Sequence, residues 1–158
     1  MEIRKATLYD LPRILDIYCY ARNFMAKNNN PNQWKNTTPR VSMLLDDLDN
    51  EELYVLVDNE IIAVFMLTIR ADEFYSYIEG QWLNDEEYAT IHRVANIRPC
   101  GVLKKAIEYA GQFASNIRID THEENTIMIN ALTKYGFKYV GDIFIGDKSR
   151  RLAFHKKN

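Results

Sequence analysis

The sequence predicts a mixed α/β fold (α+β), with about seven strands in one sheet flanked by about four helices, in a single domain over residues 1–158. Three observations carry this. Apolar residues recur at helical spacing in four stretches and in short β-type runs elsewhere. Asp58-Asn59-Glu60 and Gly146-Asp147-Lys148-Ser149 each separate two β-type runs, as hairpin turns do. Residues 88 to 137 read strand, glycine-marked turn, helix, strand, helix, which gives two parallel strands joined by a crossover.

In chain order, Glu2 to Ala6 is a first strand, and Asp10 caps a helix carrying Pro12 in its first turn, where a missing N–H costs little. Leu11, Ile14, Leu15, Tyr18, Ala21, Arg22 and Met25 mark its inward face. The polar run from Lys27 to Pro39 cannot continue that helix and forms a loop with one conspicuous aromatic, Trp34. Thr38-Pro39 then starts a short helix with Val41, Leu44, Leu45 and Leu48 on one face. Glu52 to Val57 and Ile61 to Arg70 make the first hairpin. Ala71 to Glu87 mixes carboxylates with Phe74, Tyr75, Tyr77 and Trp82 without a period of its own, and reads as a lid or substrate wall. Lys138 to Ile145 and Arg151 to Lys156 form the closing hairpin.

Composition narrows the function. The chain is 47% hydrophobic with only six Gly and four Pro, enough apolar mass for a core. A formal charge of −2 and a pI near 5.9 lack the basic excess that nucleic-acid binding needs. The longest apolar run, Ile61 to Ile69, is far shorter than the ~20 residues of a membrane span. The first residues carry no signal-peptide core, so a cytoplasmic protein is expected. Cys19 and Cys100 are expected to be free thiols.

Within residues 88 to 137, strand alternation sets Thr90, His92, Val94 and Asn96 on one face, so His92 and Asn96 are expected to point the same way. From Gly101 onward Leu103, Ala106, Ile107, Ala110, Phe113 and Ala114 recur at helical spacing, with Lys104, Lys105 and Glu108 outward. Asn116 to Thr121 is the next strand. Ile127, Met128, Ala131, Leu132 and Tyr135 mark a last helix that stops at Gly136.

His92-Arg93-Val94-Ala95, the glycine-headed helix after it, Asn125 and the Lys134-Tyr135-Gly136-Phe137 ending resemble the GNAT superfamily of acyl-CoA-dependent N-acyltransferases, and the resemblance extends over nearly the whole chain. It implies a mostly antiparallel twisted sheet whose fourth and fifth strands run parallel and splay apart. The pantetheine arm of acetyl-CoA would enter that splay against the fourth strand, here Tyr88 to Ile97. Cofactor contacts then fall to Val94, Ala95, Asn96, Arg98, Gly101, Val102, Leu103, Lys104 and Asn125. The family's pyrophosphate loop, Q/R-x-x-G-x-G/A, is shortened: between Ala95 and the helix stands only Asn-Ile-Arg-Pro-Cys-Gly, with one glycine. Unpaired N–H groups and the dipole at the helix start suit a diphosphate, with charge added by Arg98 and Lys104. The alternative is a tight Arg98-Pro99 turn that has lost the phosphate site.

Acetyl transfer needs a neutral amine, and a lysine-like amine of pKa ~10.4 must first lose a proton. His92 is the candidate base, at a strand position where many family members place a glutamate; the alternative is an imidazole hydrogen-bonded into the sheet. Counting from Asn125, the family's tyrosine acid falls on Leu132, and Tyr135 lies on another part of the helix, so no acid is assigned. Asn125 would hold the pantetheine arm or cap its own helix. Arg93 and Asp120 are read as a pair between neighbouring strands, and His122 as a cleft residue at a strand end. Trp34, Tyr75, Tyr77 and Trp82, with Asp72, Glu73 and Glu79, would wall an acidic, aromatic site for a cationic amine, or else serve as surface and hairpin packing. His92, His122 and His155 lack ligand spacing, so no metal is expected. The expected activity is direct attack by an amine of a small molecule or peptide on acetyl-CoA, without nucleic acid or membrane partners and compatible with a homodimer. The competing class is a GNAT-fold acyl-CoA- or ligand-binding regulatory protein.

Overall fold

The computed structural model describes all residues from 1 to 158. The strands are β1 (Glu2–Lys5), β2 (Leu53–Asp58), β3 (Glu60–Thr68), β4 (Glu79–Gly80), β5 (Tyr88–Asn96), β6 (Asn116–Thr121), β7 (Lys138–Phe144) and β8 (Arg150–Lys157). They form one eight-stranded sheet in the order β1-β2-β3-β5-β6-β8-β7-β4. Every neighbouring pair is antiparallel except β5 and β6, whose parallel pairing requires the crossover through α3 (Val102–Ala110). Seven strands are those the sequence predicts. The two-residue β4 comes from the segment read as a lid, so the expected fourth and fifth strands are β5 and β6.

Helices cover both faces. On one, α1 (Leu11–Lys27) and α2 (Val41–Asp49) bury Ile14, Ile17, Tyr18 and Leu44 against Val55, Val64, Met66 and Ala95. On the other, α3 and α4 (Thr126–Lys134) bury Ala106, Ile107 and Leu132 against Phe65, Ile91 and Ile117. A third cluster joins Tyr75, Trp82 and Tyr88 to Ile143 and Ala153, and this is what the aromatic-rich segment packs into. Some expected stripe positions fall outside the core: Val41, Leu45 and Ile127 are exposed, and α3 stops before Phe113, which is also exposed. Asp10 caps by position only. Its carboxylate instead accepts from Thr7 N–H and pairs with Arg4.

Two irregularities in β5 shape the site. The β3–β5 register shifts between Val64 and Met66, which leaves Arg93 at φ +54°. Such a bulge inserts one residue and reverses the side-chain parity beyond it. Thus His92, opposite Met66, faces the α1/α2 side, as does Ala95 opposite Val64, whereas Asn96, opposite Ala63, faces the α3/α4 side. His92 and Asn96 therefore point to opposite faces, correcting the alternation read from sequence. The bulge is held from both sides. Tyr18 Oη donates to Arg93 O at 2.8 Å, and the Arg93 guanidinium grips Asp47 at 2.7–3.0 Å. Asp47 is thus the partner of Arg93, in place of the expected Asp120.

The second irregularity is the splay. Strands β5 and β6 pair only at Tyr88–Asn116, Ala89–Ile117 and Thr90–Arg118, although β5 runs on to Asn96 and β6 to Thr121. Beyond Thr90 the backbones part, leaving a gap at their carboxyl ends.

Candidate active site

His92 sits where the gap opens. Its Nε2 lies 2.9 Å from Asp72 Oδ2, and its Nδ1 lies 3.8 Å from Asp120 Oδ2. Asp72 reaches it from the start of a single 3-10 turn, Glu73–Tyr75, where its Oδ1 accepts from Phe74 N–H at 2.9 Å and its own N–H donates to Tyr88 Oη at 2.8 Å. Burial works to raise the Asp72 pKa, yet the hydrogen bond and charge of His92 and the Phe74 N–H together hold it below the ordinary carboxylate range. An ionised carboxylate only accepts, so the hydrogen between Asp72 and His92 belongs to Nε2. In the neutral imidazole the free lone pair is then on Nδ1. On that side Tyr75 Oη donates to Asp120 Oδ2 at 2.6 Å, and burial followed by the Asp120 charge pushes the tyrosine well above its usual pKa. Tyr75 is thereby a fixed donor to Asp120.

Asp72, His92 and Asp120 line a cleft of about 730 Å³ whose walls also include Trp34, Thr68, Phe74 and Arg151. Trp34 is buried edge-on to Tyr18, so the polar loop after α1 supplies a wall as well as a connection. The loop is tied down by Gln33. Its Oε1 accepts from Asn30 and Asn125 side chains at 3.0 Å each, and its carbonyl accepts from Arg151 Nη2 at 3.2 Å. A second, mostly apolar cavity of about 300 Å³ adjoins the first and shares Met25, Val94, Asn125 and Met128 with it. Val94, Ala95, Asn96, Arg98, Pro99, Val102 and Leu103 are among its lining residues.

The remaining predicted residues sort by geometry. Asn125 caps α4, its Oδ1 accepting Met128 N–H at 3.1 Å while its Nδ2 donates to Gln33 Oε1, and it lies in the walls of both cavities. Gly101 caps α3 at φ +66°, and the Lys104 side chain pairs with Glu108 in solvent, so neither lines the cavity. Tyr75 contacts the site through Asp120. Tyr77 does not reach it: it is 61% exposed and rests near Phe144. Trp82 lies behind the site, donating to Tyr75 O at 3.0 Å, with the Arg118 guanidinium 4.2 Å over its ring. His122 turns away, accepting Glu124 N–H at its Nδ1 at 3.0 Å, and lines neither cavity. Leu132 is fully buried where the family's tyrosine would stand. Sequence reasoning assigned Asp72 only a diffuse role in the acceptor wall and gave Arg151 none. Nothing in the sequence marks Asp72 as the partner of a histidine on another element.

The residues present fit an acyl-CoA: an apolar channel for the arm, and at its rim the first N–H groups of the nine-residue α3, which have no intrahelical acceptor. Solved structures share the fold. The chain superposes on a GNAT-family acetyltransferase from Streptococcus agalactiae 2603 with a TM-score of 0.86 and 28% identity, covering 99% of this chain and 95% of that one. It also superposes on a GNAT-family acetyltransferase from Listeria monocytogenes 4b F2365 (TM-score 0.72, 15% identity, 99% and 94% covered). For a ribosomal-protein-alanine N-acetyltransferase from Brucella melitensis the TM-score is 0.66 at 19% identity, with both chains fully covered. No family model and no curated protein matches the sequence. The fold and the splay between β5 and β6 are those of structures described as GNAT-family acetyltransferases, and this chain is similar to them over nearly its whole length.

Proposed function

We propose that the chain is an N-acetyltransferase that moves an acetyl group from acetyl-CoA to an amine of a small molecule or peptide by direct attack, with His92 as the base. The observation that carries this is the Asp72–His92–Asp120 array standing where β5 and β6 part. Acetyl-CoA supplies the thioester carbonyl. Asp72 fixes the imidazole so that Nδ1 faces the cleft, Nδ1 takes the proton from the incoming ammonium, and Asp120 lies close enough to favour the imidazolium that results. The apolar channel holds the arm, and the α3 N-terminus supports the diphosphate. No side chain is assigned as acid for the departing thiolate. A thiol with a pKa near ~8.5 leaves without one.

The buried Leu132 and the single loop glycine favour a second reading, an acyl-CoA-binding protein without turnover. Two measurements separate them. Acetyl-CoA at ~100 times its dissociation constant should stabilise the fold by about 2.7 kcal/mol in a thermal-shift titration. Thiol release with a panel of amines and peptides should fall ~100-fold or more in His92→Gln. Binding without thiol release across the panel supports the second reading, and no thermal shift at all removes both.

A further inference from the structure

The cleft has an opposite pole to its carboxylates, and the mechanism above does not use it. Arg151 lines the cleft and is only 6% exposed. Its guanidinium donates from Nη1 to Ser149 Oγ and Arg150 O, both at 3.1 Å, and from Nη2 to Gln33 O at 3.2 Å. Of its five N–H groups, Nε–H and one on Nη2 have no acceptor within the chain. Those two nitrogens form the edge through which Arg70 holds Glu52 and Arg93 holds Asp47 elsewhere in this protein. No carboxylate lies within ion-pair distance of Arg151. Burial draws its pKa down, and Asp120 and Asp147 oppose this only at longer range.

The other cations of the cleft are spoken for or exposed. Arg70 and Arg93 are tied to Glu52 and Asp47, and Lys35 and Arg40 are exposed. Arg151 is thus a buried cation with its Nε–H and one Nη2–H unused. Its position relative to the base is set by register: Asp120 pairs with Ala153, and Arg151 lies two residues further along β8 on the same face, about 6–7 Å away. A ligand spanning from Nδ1 of His92 to Arg151 meets carboxylates at one end and a guanidinium at the other.

We infer that the acceptor is an amino acid or short peptide whose amine faces His92 and Asp120 while its carboxylate is held by Arg151. This rests on the acetyl-transfer reading and sharpens its acceptor class. The test compares alanine, β-alanine, γ-aminobutyrate and glycylglycine, each beside its carboxamide, which keeps size and removes the charge. At least one acid should be acetylated with a kcat/KM ~10-fold or more above its carboxamide. In Arg151→Gln that ratio should fall to about one, and Arg151→Lys should retain part of it. Ratios near one throughout in the unaltered protein, or a ratio unchanged in Arg151→Gln, would overturn the inference. Thermal-shift titration with the same pairs keeps it decidable if none is acetylated, which would sink the transfer reading alone. Greater stabilisation by an acid than by its carboxamide, lost in Arg151→Gln, supports the carboxylate site; equal or no stabilisation by both members of every pair overturns it.

Discussion

Asp47 and Arg93 meet face to face beneath β5, with three nitrogen-to-oxygen contacts of 2.7–3.0 Å, and this pair holds the bulge that reverses the strand beyond His92. Asp47 is 5% exposed and the Arg93 side chain 17% exposed at the cleft wall, so removing Asp47 leaves a largely desolvated guanidinium without its partner. Asp47→Ala should therefore cost about 3 kcal/mol, read by urea unfolding. As the bulge relaxes, thiol release should fall as well, whereas a variant of the part-buried Arg4–Asp10 pair at the β1 edge of the sheet should change activity little.

Asp72→Asn tests whether the imidazole must be held in one tautomer. The amide can present its NH₂ to Nε2, which moves the imidazole hydrogen to Nδ1 and blocks the base. A kcat loss of about 10- to 1,000-fold is expected at nearly unchanged acetyl-CoA affinity. The substitution also weakens the cap on Phe74 N–H, for about 1 kcal/mol of stability, so circular dichroism and activity should be measured together.

Ala131 forms part of the apolar channel wall on α4. Ala131→Phe fills the space that the proposed acetyl transfer gives to the pantetheine arm while leaving the Asp72–His92 contact untouched. The acetyl-CoA KM should rise at least ~10-fold, and the thermal shift produced by acetyl-CoA should shrink in proportion. A variant with normal acetyl-CoA binding would place the arm elsewhere.

His155 predicts a pH dependence of stability. It is fully buried, its Nδ1 accepts Leu83 N–H at 3.2 Å, and its Nε2 lies 2.9 Å from Asn116 Oδ1. Burial, aided by the Arg118 charge, lowers its pKa to about 4. The unfolded chain, with a histidine pKa of ~6.5, binds the proton first. The contribution is therefore complete above pH ~6.5 and is lost as the pH falls toward 4, by at most about 3 kcal/mol. Unfolding followed between pH 7 and 4 should show this slope, and His155→Gln should flatten it.

The strands and the crossover were legible in the sequence because each rests on a local period. Leu103, Ala106 and Ile107 announce their helix face within two turns, and the glycine at 101 announces its start. The bulge was not legible: Arg93 holds a positive φ without glycine or asparagine to flag it, because Asp47 and Tyr18 supply the compensation from other elements. The aromatic segment misled for a related reason. Composition put Tyr75, Tyr77 and Trp82 in one wall, but pairing of Glu79–Gly80 with β7 carries Tyr77 outward and folds Trp82 behind Tyr75. Arg151 lies in an ordinary-looking last strand, and only the closeness of β6 and β8 brings it to the cleft.

Three residue pairs between β5 and β6 are the whole hydrogen-bonded seam between two four-stranded halves, β1-β2-β3-β5 and β6-β8-β7-β4. A ligand lying along the open length of that seam would act as a suture, supplying the missing backbone partners and coupling the halves mechanically. Amide hydrogen exchange at residues 91 to 97 should therefore slow when the seam is filled, and the halves should tumble and unfold more nearly as one body.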